Sequence, residues 1–169
     1  MKLLGILAIL TGGCLGAGYS LRMRREWIRL LRDLGASLRL MASELSFRAV
    51  PMAELTEILA KKSQGGCAVF YHALESGMEQ IGELRFAQLW ERTAVRTLPL
   101  LPEGELTELC RLGASLGRFD AEKQSADAEY CASRLLQAAE REEKDLERSG
   151  RLIVGLWLSG AAMVILLLV

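Results

Sequence analysis

The sequence predicts an all-α protein: a helical bundle domain set between two transmembrane helices, with long first and last helices continuing from the membrane spans. Three observations lead there. Residues 3–21 and 152–169 carry no charged side chain, while all 21 acidic residues and every basic residue except Lys2 lie between them. Leu, Ala, Glu and Arg dominate and only three prolines occur, a composition that favours helix. Apolar residues recur three and four apart through the middle of the chain, the period of a helix with one buried face.

A helix of 18–19 uncharged residues is about 27–29 Å long at ~1.5 Å per residue, close to the ~30 Å hydrocarbon core of a bilayer. The chain therefore divides into a transmembrane helix at 3–21, a cytoplasmic helical bundle at 22–151 and a transmembrane helix at 152–169. Arg22, Arg24, Arg25 and Arg29 follow the first span; Arg141, Lys144, Arg148 and Arg151 precede the second. Basic residues collect on the cytoplasmic side of span ends, so both ends place the middle in the cytoplasm. Gly12 with Gly16, and Gly155 with Ser159, are small pairs that let membrane helices approach closely. The opening also admits another reading. Met1-Lys2 before an apolar run describes a signal peptide, and Thr11-Gly12-Gly13-Cys14 has the small residues of a lipoprotein cleavage site. Against it, the apolar run continues past Cys14 to Tyr19 and then meets arginines, as a stop-transfer anchor does.

In the middle, Trp27, Leu31, Leu34, Leu38, Met41 and Leu45 step by four and three, predicting a helix that ends near Phe47 and packs against its own domain. Pro51 breaks the chain and suits the first turn of a second helix holding Met52, Leu55, Ile58 and Leu59, ending at Lys61-Lys62. Gly65-Gly66 is expected as a turn. A third helix should bury Val69, Phe70, Leu74 and Met78. Gly82 separates it from a fourth with Phe86, Leu89, Trp90 and Val95. Pro99 and Pro102 punctuate a loop before a fifth helix at 103–116, with Leu106, Leu109, Leu112, Ala114 and Leu116 available for burial. Gly113 and Gly117 are four apart and so offer one face to a crossing helix. From Asp120 a charged, alanine-rich helix carries Ala128, Tyr130, Leu135, Leu136, Ala139 and Leu146 as a thin apolar face and runs into the second span. Glu140 and Lys144 have the spacing of a helical ion pair.

The search for chemistry returns little. The middle is near electroneutral, which argues against nucleic acid as a ligand. Phosphate-binding loops, zinc-protease helices, nucleophile elbows and Cys/His clusters are absent from the sequence. Cys14, Cys67, Cys110 and Cys131 are too far apart for a CxxC pair, so reduced thiols are expected rather than a disulfide framework or zinc site. Cys67 lies five residues before His72, the one histidine, a poor spacing for a nucleophile and its base. The middle is expected to bind protein, with no catalytic residues, metal or cofactor.

The order of features resembles the stage III sporulation protein AB family over nearly the whole chain. The resemblance rests on Met1-Lys2-Leu3-Leu4-Gly5 and the arginine-flanked exit, then Leu30-Leu31-Arg32-Asp33-Leu34. It continues with Glu44 and Leu45 ahead of Pro51-Met52-Ala53-Glu54-Leu55, and with the apolar terminus that holds Gly155. Its most specific part is Leu112-Gly113-Ala114-Ser115-Leu116-Gly117 followed by Asp120 and Gln124. The resemblance implies a cytoplasmic domain similar to those of the type II secretion platform protein F. It implies membership of the channel complex joining mother cell to forespore, in the outer forespore membrane and facing a secretion-type ATPase, as a scaffold. Its partners would be other channel proteins, that ATPase and the lipid bilayer, with a homo-oligomer open. Glu44, Pro51, Leu55, Gly113, Gly117, Asp120 and Gln124 are the positions carried over, expected to set the fold as a turn, helix packing and a cap. Asp120 is the expected N-cap of the last helix.

Overall fold

The computed structural model describes the backbone of residues 2–48, 50–78, 85–117 and 120–168, and the side chains of 22–48, 50–78, 85–117 and 120–149. Among the described residues all regular structure is helical: α1 Lys2–Arg48, α2 Met52–Lys62, α3 Gly65–Gly77, α4 Phe86–Thr97, α5 Glu103–Ser115 and α6 Ala121–Leu168. The chain divides into two units, one of residues 27–139 and one of residues 1–26 with 140–169.

Within the 27–139 unit, α2, α3, α4 and α5 pack each against the next. Within this unit the parts of α1 and α6 lie alongside one another in opposite directions. Ser125 Oγ donates to the Ala42 carbonyl at 2.8 Å, and Arg39 Nε donates to Glu129 Oε1 at 3.2 Å. A Cβ on Gly35 would stand 2.7 Å from Leu136 Cγ, so the bare backbone of α1 makes room there for a leucine of α6. The expected α1 stripe is the core except at its first residue: Trp27 is half-buried, while Leu31, Leu34 and Leu38 are wholly buried, with Met41 and Leu45 nearly so. Burying one such leucine removes enough apolar surface from water to contribute about 1.5–3 kcal/mol.

Several expectations are corrected. Gly65 and Gly66 open α3 instead of forming a separate turn. Val69, Val95 and Tyr130 are each more than half exposed and Ala114 is exposed, so none of them is core. In each case the neighbours one position away on the helix, Phe70, Ala94, Gly113 and Cys131, point inward instead. No ion pair joins Glu140 to Lys144. Both are exposed, where such a pair is worth only a few tenths of a kcal/mol and water competes with it. Gly82 lies outside the described residues.

Among the described residues no helix is long and apolar enough to cross a membrane. The segments 3–21 and 152–169 have helical backbone continuous with α1 and α6, but their side chains lie outside the described residues. The same holds for Gly12, Gly16, Gly155 and Ser159. α6 continues through Gly150 without a break in the helix.

Candidate functional site: the α5–α6 corner and the α1–α2 turn

α5 starts after Pro102, whose ring has no N–H to leave unsatisfied, and carries Glu103 and Glu105 at its positive end. It stops at Leu116, which is extended (ψ 135°) and donates its N–H to the Leu112 carbonyl at 3.1 Å. Gly117 follows at φ +74°, the left-handed region that glycine enters without a Cβ clash. Asp120 then caps α6: its Oδ1 accepts the Lys123 N–H at 2.9 Å, as a capping carboxylate does at N3. Gln124, one turn into α6 and 7% exposed, reaches back so that its Oε1 accepts the Gly117 N–H at 3.1 Å. The left-handed residue is thereby tied to the helix that follows.

Gly113 serves a different purpose. A Cβ there would lie 2.2 Å from Trp90 Cδ1 and 2.4 Å from its Cγ, so the indole rests directly on the α5 backbone. The ring is wholly buried and its Nε1 donates to the Leu109 carbonyl at 2.8 Å. Phe70 meets it edge-on at 5.0 Å, Tyr71 at 6.5 Å and Phe86 tilted at 5.9 Å, spacings at which aromatic quadrupoles attract. The two glycines expected to share one face are thus separated in role. Gly113 seats an indole from α4. Gly117 lies past the helix end with nothing within 4 Å of its would-be Cβ.

At the α1–α2 turn, Pro51 precedes α2 at φ −57°, and its carbonyl accepts the Leu55 N–H at 2.9 Å. Leu55 is buried. Glu44 is 14% exposed and lies 3.7 Å from Arg48 Nη1 and 3.9 Å from Lys62 Nζ, joining the end of α1 to the end of α2 by charge. Of the seven family-pattern positions, Pro51, Leu55, Gly113, Gly117, Asp120 and Gln124 lie in turns, packing contacts or the α5–α6 corner, and Glu44 lies between two cations.

The remaining chemistry is buried or dispersed. Cys67 Sγ donates to Ser37 Oγ at 3.4 Å. Ser37 also donates to the Leu34 carbonyl at 2.8 Å and shares a 3.0 Å hydrogen bond with the Tyr71 hydroxyl. Burial pushes the Cys67 thiol up, against the lowering effect of Ser37 and Ser63, and pushes the Tyr71 phenol well above its ordinary value. Cys131 is driven by burial, with help from Glu108, to about 12, and burial also raises Cys110. His72 stands on the solvent side of α3 with its Nδ1 3.3 Å from Glu75, so α3 holds Cys67 and His72 on different faces. An open cleft of about 280 Å³ is lined by Asp33, Ala36, Ser37, Leu40, Lys62, Ser63 and Gln64. Among the described residues no three His, Cys, Asp or Glu side chains are grouped to hold a metal. The sequence reading missed the Ser37–Tyr71–Cys67 cluster and the role of Trp90. A serine and a tyrosine thirty-four residues apart leave no local signal, whereas a tryptophan with a glycine in the next helix is a weak one.

These geometries join the residues of the Leu-Gly-x-x-Leu-Gly-x-x-Asp-x-x-x-Gln pattern into one corner of this chain. The family model for stage III sporulation protein AB matches residues 2–169. This chain belongs to that family. Among solved structures it is similar to one of stage III sporulation protein AB, with a TM-score of 0.64 and 19% identity over 72% of this chain and 97% of the other. That likeness shows a shared fold. No curated protein matches significantly. In this chain the corner at Gly113–Gln124 joins α5 to α6.

Proposed function

We propose that this stage III sporulation protein is a membrane-anchored structural and assembly subunit of the channel complex between mother cell and forespore. It spans the membrane at 3–21 and 152–169 and presents residues 22–151 to the mother-cell cytoplasm. There it scaffolds other channel proteins, a secretion-type ATPase among them, and is not an enzyme. The observation that carries the reading is the placement of the two charge-free segments at the outer ends of the two longest helices, α1 and α6. A helical scaffold with its motif residues used for capping and packing is what such a subunit requires.

Topology is the first test. Cys67 and Cys131 are buried and Cys110 is half-buried, so the native thiols report on sidedness less well than a fully exposed one. Gly104→Cys introduces an exposed thiol with nothing within 4 Å. Protection from an impermeant maleimide in intact cells, with labelling after permeabilisation, supports a cytoplasmic domain; labelling of intact cells refutes it. Gentle solubilisation from sporulating cells should then co-purify the cognate ATPase or other channel proteins. The second reading, an exported lipoprotein, is favoured by the small residues before Cys14. It predicts loss of residues 1–13 and a lipid on Cys14 by mass spectrometry.

A further inference from the structure

Charge is layered along the chain just inside its two charge-free segments. Arg22, Arg24 and Arg25 fall within one turn after residues 3–21, and Arg148 and Arg151 within one turn before residues 152–169. Neither 22–25 nor 148–151 contains an acidic residue. On α6 the next layer inverts the sign, with Glu140, Glu142, Glu143, Asp145 and Glu147 against Arg141 and Lys144, while on α1 Glu26 is followed by Arg29. Both layers belong to the one unit formed by residues 1–26 and 140–169. Arg22, Arg24, Arg25 and Arg148 are all exposed. Among the described residues none of the four makes an ion pair, although Arg22 stands four residues before Glu26 at the spacing such a pair would use.

We propose that these arginines form a binding collar for anionic phospholipid headgroups, selecting them over zwitterionic ones. The inference rests on the membrane-spanning reading. With the hydrocarbon boundary at the edge of each charge-free segment, the first helical turn beyond it covers about 6 Å. The headgroup layer on one face of a bilayer is about 5–8 Å deep. The purely basic turn lies inside that layer, and the acidic stretch of α6 beyond it stands in water, repelled by a negative surface. A guanidinium presents a planar fork of donors that matches two phosphate oxygens, and it is held more weakly by water than an ammonium is. Four exposed guanidiniums without protein partners are available for that contact.

The test is native mass spectrometry of the full chain in mild detergent, titrated with phosphatidylglycerol and with phosphatidylcholine of the same acyl chains. Wild type should hold phosphatidylglycerol at about tenfold lower lipid concentration, since each arginine near an anionic surface multiplies affinity severalfold. The preference should shrink as salt is raised. Arg22→Gln/Arg24→Gln/Arg25→Gln/Arg148→Gln should bind both lipids alike, while the matching four Arg→Lys changes keep most of the preference. Arg92→Gln/Arg96→Gln, which removes two exposed arginines from α4, should keep it whole. Equal binding of both lipids by wild type overturns the proposal. So does a preference retained in the Gln variant, or one lost equally in the α4 variant. Should the Gln variant melt lower than wild type, the single Arg24→Gln change and the salt dependence of the wild type decide. Alkaline extraction from pure phosphatidylcholine vesicles tests the underlying reading separately. Release of the wild-type chain refutes the membrane spans, whatever its headgroup preference.

Discussion

Gly113→Ala isolates the contact on which α4 and α5 depend. The added methyl would stand 2.2, 2.4 and 2.8 Å from Cδ1, Cγ and Nε1 of Trp90. Carbon atoms sit comfortably at about 3.5–4.0 Å, so the indole must retreat by more than an ångström. It has nowhere to go: the ring is wholly buried, with Phe70 edge-on at 5.0 Å and Phe86 at 5.9 Å. Retreat also lengthens the 2.8 Å hydrogen bond to the Leu109 carbonyl. Overpacking costs about 1–3 kcal/mol, and a buried indole N–H left without its acceptor costs about 1–3 kcal/mol more. Alanine's better helix propensity returns about 1 kcal/mol. The net expectation is a loss of about 1–5 kcal/mol, which for a domain of this size lowers Tm by about 3–20 °C. The assay is thermal unfolding of the full chain in detergent, followed by circular dichroism at the helix minimum. Gly104→Ala is the control, because a Cβ there meets nothing within 4 Å; it should be neutral or slightly stabilising. If Gly113→Ala melts like that control, the indole does not rest on α5 and the account of the motif fails.

Four further outcomes follow from the same structure. Leu38→Asp places a charge at a wholly buried position and should cost several kcal/mol, read as a large drop in urea midpoint; an unchanged midpoint would refute the α1 core. Gly117→Ala forces an L side chain to φ +74° and should lose about 1–2 kcal/mol in the same denaturation, with Asp120→Ala losing about 1 kcal/mol through the cap. Cys131 has its folded value raised from 9.0 to about 12. The folded state therefore prefers the thiol, and stability should be intact below about pH 9 and fall as pH rises toward 12; a flat alkaline limb would contradict its burial. In the folded chain at neutral pH, Cys110 should react with a thiol reagent before Cys67 and Cys131, and urea should abolish the difference.

Much of this architecture was legible in the residues. The α1 stripe, the Pro51 start of α2 and the Asp120 cap all depend on chemistry within a turn or two of chain, and each appears where the local pattern puts it. Val69, Val95, Ala114 and Tyr130 were misjudged because a helix with apolar neighbours side by side does not say which of them faces inward. Only the facing helix decides that. The Gly113–Gly117 pair shows the same limit from the other side. Four-residue spacing is a statement about a continuous helix, and α5 ends between them. The Ser37 hydroxyl joined to Tyr71 and Cys67 is invisible to periodicity, since each residue is unremarkable within its own helix.

The Gln124 bond to Gly117 also fixes the rotational phase of α6. Ser125, Glu129 and Leu136 follow it on the side that meets Ala42, Arg39 and Gly35. A single residue inserted just after Gln124 would turn everything downstream by about 100° and advance it by ~1.5 Å. Glu129 would swing from Arg39, and Leu136 would leave the recess that Gly35 provides. An insertion of four residues would come back to within about 40° of the original phase. Whole-turn insertions therefore keep the inward face of α6 but shift it by about 6 Å, so other residues must take the places of Glu129 and Leu136, whereas a single-residue insertion loses the face itself.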